Sequence, residues 1–292
     1  LIELSIYAIP LALIHSVFSF SQVVKFRQYR EGEIFRYKLT TDTYNNDKYT
    51  GTSVAISEHR VVKEGSIWAE SIKWLEKASF TSKDTLNLST AALSVKPYSV
   101  SLAPEGRVLL PKLSVPDMVG EITDLNTFYV AIAPALKAQA LSENNREFIN
   151  PELRKGNFAD SMTILYGTDC IQVTQRLIST DKQYTIVETK FSPPVVPCLE
   201  PLIDTIATSI FDYPNNFQMI RKGNGDKVNL FWGVEEFIIM SKIDNQNGQI
   251  VEASMDNRLK LRMRYNASPD LKTYDVEMPV TLRRNLKLEL LK

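Results

Sequence analysis

Two histidines, two cysteines and three acids beside tryptophan carry most of the chemical promise of this 292-residue chain. His15 lies in an apolar N-terminal stretch, so His59, in SEHRVV, is the one candidate general base of a processed chain. A lone histidine on a strand next to Arg60 is expected to be a surface or packing residue. The sequence has no GxSxG elbow, no GxxxxGK[ST] phosphate loop and no HExxH pair. GNGD at 223–226 lacks the third glycine of a dinucleotide fingerprint and reads as a turn. DNQNGQ at 244–249 is no EF-hand loop, because Ile243 stands where an acid is needed. Glu70 lies between Trp68 and Trp74, and Glu235 and Glu236 follow Trp232. Acids beside aromatic platforms suit glycoside hydrolysis, whose carboxylate spacing is set in three dimensions. The alternation around Glu70 instead predicts a wet residue on an amphipathic strand. No catalytic residue and no cofactor is assigned, and a carboxylate-based hydrolase is only the third reading of function.

Cys170 and Cys198 bracket IQVTQRLI, the polar turn STDKQ and YTIVETKF, two β-branched and aromatic arms that predict an antiparallel hairpin. The proline-rich run SPPVVP has to turn back to bring the two sulfurs within bonding distance. With no CxxC spacing and no neighbouring histidine they make no zinc set, so the metal expectation is none. A disulfide is permissible if the chain is exported. Leu4 to Val24 contains no charged residue, its apolar centre runs from Ile6 to Phe18, and Ser19 and Ser21 follow two apart. This is the pattern of a secretory signal peptide cleaved after Ser21, although Glu3 stands where basic residues belong. An uncleaved N-terminal anchor and a buried helix are the rivals, and Pro10, His15 and four serines make a poor membrane span. The expectation is residues 1–21 as a signal and 22–292 as one exported β-rich domain, placed in the periplasm or cell envelope. If it divides into two lobes, the boundary falls near 120–160.

The 34 basic and 34 acidic residues cancel, which argues against nucleic acid as a partner. Period-two alternation predicts strands near 34–43, 51–63, 67–76, 171–178, 184–191, 234–243, 249–256, 258–266 and 280–290. In RLKLRMRY, Leu259, Leu261, Met263 and Tyr265 share one face, and four basic residues share the other. Asn247-Gly248 predicts a tight hairpin. One helix is predicted near 125–141, capped by Asp124, kinked by Pro134 and lined with alanines for close packing on a sheet. A second short helix is predicted within 198–210, and the proline-dotted run 101–122 is expected to be irregular. The fold class is therefore mainly β with a minor α component: a large curved antiparallel sheet, or two β-lobes, around one kinked helix.

That layout resembles, in outline and without a matched motif, the bacterial envelope carriers of the LolA and LppX kind. There a curved sheet wraps a helix and leaves an apolar cavity. The leading expectation is binding or carriage of an apolar small molecule or lipid. Its candidate walls are Phe237, Ile239, Leu259, Leu261, Met263 and Tyr265, with Phe128, Val130 and Leu136 of the helix as floor or lid. The alternative is a structural or interaction component of the envelope with a protein partner, its apolar residues simply packed. Composition leaves the oligomeric state open.

Overall fold

A computed structural model describes residues 24–109, 111–149, 166–167, 172–192, 199–200, 216–223 and 225–291. Residues 1–23 and both cysteines lie outside the described residues, and of the short helix predicted within 198–210 only Leu199 and Glu200 are described, as a strand. Long strands dominate. They are β1 (Ile34–Asn45), β2 (Lys48–Glu64), β3 (Ile67–Phe80), the short β4 (Thr85–Asn87), then helix α1 (Ser89–Ser94) and β5 (Tyr98–Val100). A 3₁₀ turn (Pro116–Met118) leads into helix α2 (Val119–Ala138), followed by β6 (Glu147–Ile149), β7 (Tyr166–Gly167), β8 (Gln172–Thr180), β9 (Tyr184–Ser192) and β10 (Leu199–Glu200). The chain closes with β11 (Phe217–Lys222), β12 (Val228–Asp244), β13 (Ile250–Ala267) and β14 (Val276–Leu291). Each predicted strand falls on one of these, except that 249–256 and 258–266 are a single strand, β13, continuous through Asn257.

Twelve strands join one antiparallel sheet in the order β4-β3-β2-β1-β14-β13-β12-β9-β8-β6, with β5 added to β3 and β11 to β12. The last long strand pairs with the first, Leu39 opposite Leu288, so both halves of the chain share the sheet. Sharp turns hold the register. Gly248 closes the β12–β13 turn at φ +70°, and an added Cβ would meet the carbonyl oxygens of Phe26 and Lys25 at 2.6 and 2.8 Å. Glycine alone accepts that conformation and that approach.

Helix α2 lies in the curl of the sheet. Tyr129 donates to Glu70 on β3, while two residues on the Ala131 carbonyl accepts from Thr189 on β9 and Gln175 on β8. In a flat sheet β3 and β8, seven steps apart, would lie roughly 34 Å from one another. A helix is only about 10–12 Å across with its side chains. Opposite flanks of α2 can reach both strands only if the sheet bends around it. The core follows from this wrapping. Ile122, Leu125, Phe128, Ile132 and Leu136 pack against Tyr37, Leu39, Trp74, Val187, Ile239, Met255 and Leu288.

The helix differs from expectation at its start, while Pro134 falls inside it as expected. It begins at Val119, so Asp124 is an interior residue and not the cap; its carboxylate pairs sideways with Arg284 of β14. Pro134 lies inside, where it removes an N–H and opens the preceding turn.

Candidate functional site

The candidate base His59 sits at the centre of a buried polar network. The alternation of β2 puts Ser57 and His59 on the inner face of the sheet. His59 Nε2 lies 3.0 Å from Ser57 Oγ, and Nδ1 lies 3.0 Å from Glu70 Oε2. A carboxylate can only accept, so Nδ1 carries the proton and the serine hydroxyl donates to Nε2. In outline this is a serine–histidine–acid chain. Its surroundings deny it catalysis: the three side chains are 0–2% exposed, and Tyr129 closes the acid from the helix side. Arg27 adds an ion pair to Glu70 at 3.6 Å and another to Glu33 at 3.0 Å. Burial, and then the Glu70 charge, pushes the Tyr129 phenol far up, so it stays a donor. The network ties the segment before β1, the sheet and α2 together.

The wet position expected for Glu70 is thus corrected. Glu70 shares a strand face with Ile72 and Trp74, both buried, and that even spacing was the signal. Glu235 and Glu236 do not act as a pair, because successive strand residues point to opposite faces. Trp232 packs with Leu230, Ala267 and Leu271 in a separate small cluster. No group of three His, Cys, Asp or Glu is arranged to hold a metal among the described residues.

The residues proposed as apolar walls divide in two. Phe128, Leu136 and Ile239 are buried in the main core, with Phe237 against it and stacked on Phe191. Val130 faces outward, 41% exposed. Leu259, Leu261, Met263 and Tyr265 form one side of a ladder whose other side sequence reading missed. In register they oppose Leu282, Val280, Met278 and Val276 of β14. The signal was there in V-x-M-x-V-x-L from 276 to 282, the same period-two pattern. Leu259 and Leu261 are buried but belong to neither packed cluster of described residues. Further along, Tyr265, Val276 and Met278 are 38–40% exposed.

Between the core and this ladder runs a belt of charge. Asn257 faces Arg284 across β13 and β14; Arg284 pairs with Asp124, and Asn257 Nδ2 donates to Glu235 Oε1 at 2.8 Å. On the β2–β3 side, Lys77 binds Glu121 at 2.7 Å and Ser53 donates to the same carboxylate at 2.6 Å. Burial pushes the carboxyls of Asp124 and Glu235 above their ordinary range, although Arg284 pulls back on both and Asn257 on Glu235. These carboxylates gather beside the N-terminal half of α2, between the rungs under the helix and the β13–β14 ladder. Among the described residues no helix is long and apolar enough to cross a membrane, which says nothing of crossing by strands.

No protein-family model and no curated protein matches the sequence. Two solved structures to which it shows a weak likeness can be named. One is lipovitellin, from a structure of its lipid–protein interactions, at 10% identity and a TM-score of 0.44 over 91% of this chain. The chain spans about a quarter (26%) of that lipovitellin chain. The other is a LolA superfamily protein from Nitrosomonas europaea, at 10% identity and a TM-score of 0.14, covering 94% of this chain and 92% of that one. At these scores neither likeness bears on function.

Proposed function

We propose that this protein binds an apolar ligand or lipid along the β13–β14 ladder. One observation carries the reading: the inner apolar face of the sheet continues past the helix that should cover it, and ends in large exposed side chains. Exposed singly, such residues are ordinary; Tyr265, Val276 and Met278 are exposed together on the two outer rungs of one face, and apolar patches mark interaction sites. The helix serves as one wall of the filled half and not as a lid over the ladder. Export, removal of residues 1–21, a Cys170–Cys198 bridge and residence in the periplasm or envelope belong to the same proposal and rest on the sequence pattern alone. The test is titration of delipidated protein with diphenylhexatriene, followed by native mass spectrometry of the protein as first purified. Saturable fluorescence enhancement, lost in Leu261→Glu but kept in the outer-face variant Lys260→Glu, supports the site. Absence of any saturable binding overturns it and leaves an interaction surface for an envelope protein. Intact mass of protein from an exported fraction checks the leader and the bridge.

A further inference from the structure

One guanidinium in the belt serves two acids, one on the helix and one on the sheet. Arg284 of β14 donates to Asp124 of α2 and also attracts Glu235 of β12. Asp124 is 5% exposed, whereas Glu235 is half-buried and accepts from the neutral amide of Asn257 on β13. Around this trio stand Glu121 of α2, which repels Asp124, and Lys77 of β3, which pairs with Glu121. Ser53 of β2 donates to Glu121 as well. With every acid ionised, three carboxylates of the described belt stand against two cations, and both cations are paired with acids of the helix. A desolvated cluster with surplus negative charge favours taking up a proton. Glu235 is the place for it. A guanidinium hydrogen bond holds Asp124 in its ionised form, while the described partner of the Glu235 carboxyl is only an amide.

We propose that the belt is a proton-dependent clasp on α2, with Glu235 as its sensor. With the proton on Glu235, Arg284 belongs to Asp124 and the N-terminal half of the helix is held on β14. When Glu235 ionises, it competes for the one guanidinium and repels the Asp124 carboxylate, so this half of the helix loosens. The surface it uncovers is apolar, because Ile122 and Leu125 lie in that half and are 0–1% exposed. The middle of α2 is tied to the sheet by neutral groups instead, Gln175 and Thr189 donating to the Ala131 carbonyl. The clasp does not depend on the ladder taking a ligand.

The experiment is hydrogen exchange of the full chain between pH 5 and 8, read as protection factors so that the intrinsic effect of pH on exchange is divided out. Protection of the amides in 123–129 is expected to fall about fivefold relative to those in 132–138 as pH rises. Glu235→Gln should hold that ratio level, since its amide cannot ionise and its oxygen still accepts from Asn257 Nδ2. The variant keeps His59 and Glu70, so a pH effect arriving through that network survives in it. A ratio that stays constant in the wild type, or that falls equally in Glu235→Gln, overturns the clasp. Because the wild-type series compares two halves of one helix, it stands even if Glu235→Gln does not fold.

Discussion

The two halves of the inner sheet face are built from the same kind of rung and meet different fates. Ala253/Leu288 and Met255/Leu286 lie under α2 and are 0–5% exposed. Met263/Met278 and Tyr265/Val276 lie on the same strands and the same face, and three of their four side chains are among the exposed ones. Side-chain type does not separate the halves. The separation comes from the helix, which is 20 residues long and whose polar N-terminal half stops at the belt of Asp124, Glu121 and their partners. A sheet of this length has more apolar face than one helix can cover.

That contrast is most sharply tested by truncation. Phe128→Ala empties the best-packed part of the filled half and should cost about 3–5 kcal/mol. Met278→Ala should stay within about 0.5 kcal/mol, the range of surface changes. Urea unfolding of both variants checks the pair. Equal costs would mean that the ladder is as tightly filled as the core, which removes the reason to place a ligand there.

Next in size is the belt. Arg284→Met leaves the Asp124 carboxylate under the helix without its cation, at about 3 kcal/mol. Adding Asp124→Leu should recover most of that, because the loss lies in the stranded charge and not in the pair itself. If the double variant is no better than the single one, the belt holds the helix in place by more than charge balance.

A third effect concerns how the ladder strands are shaped. Gly233 in β12 has φ +151°, and a Cβ there would lie 2.2 Å from the Lys260 carbonyl oxygen and 2.9 Å from the Leu261 Cα. Gly233→Ala should cost about 1–3 kcal/mol through strain and forced separation of β12 from β13. It should also weaken probe binding beside Leu261 more than it weakens the distant His59 network. Thermal unfolding and diphenylhexatriene titration of the variant separate the two consequences.

Much of the fold was legible because a half-buried strand writes its period into adjacent residues. The alternation at 250–267 and 276–291 located β13 and β14, and the turn residues at 181–183 and 245–248 located the hairpins. Strands such as β4 and β6, at three residues, are too short to carry a period. The start of α2 was misjudged because an aspartate before an apolar run looks like a cap. Only the position of Arg284, 160 residues away, shows the carboxylate engaged sideways. Glu70 was misjudged by residue type, since an acid on a strand is ordinarily wet, and burial here depends on Arg27, His59 and Tyr129 arriving from three separate segments. The apolar side of the candidate site was half visible in 259–265. Its polar end was not, because Asn257, Glu235, Arg284 and Asp124 come together only through strand register.

The smallest effect tests that polar end through pH. Burial raises the Glu235 carboxyl above the ordinary value of 4.5, to which it returns on unfolding. As pH rises past that value, the unfolded chain gives up its proton first and binds fewer protons than the folded one, so stability falls with pH. The contribution is therefore whole below about pH 4.5 and is lost as pH passes through the raised folded value. Glu235→Gln removes this dependence while its amide oxygen still accepts from Asn257 Nδ2. Near pH 4 the variant should match the wild type; toward pH 7 it should become the more stable of the two. Asp124 titrates with the same sign from 3.8 in both proteins. Melting temperatures of wild type and variant between pH 4 and 8 check it. A difference that does not change with pH would show that Glu235 is not desolvated at the belt.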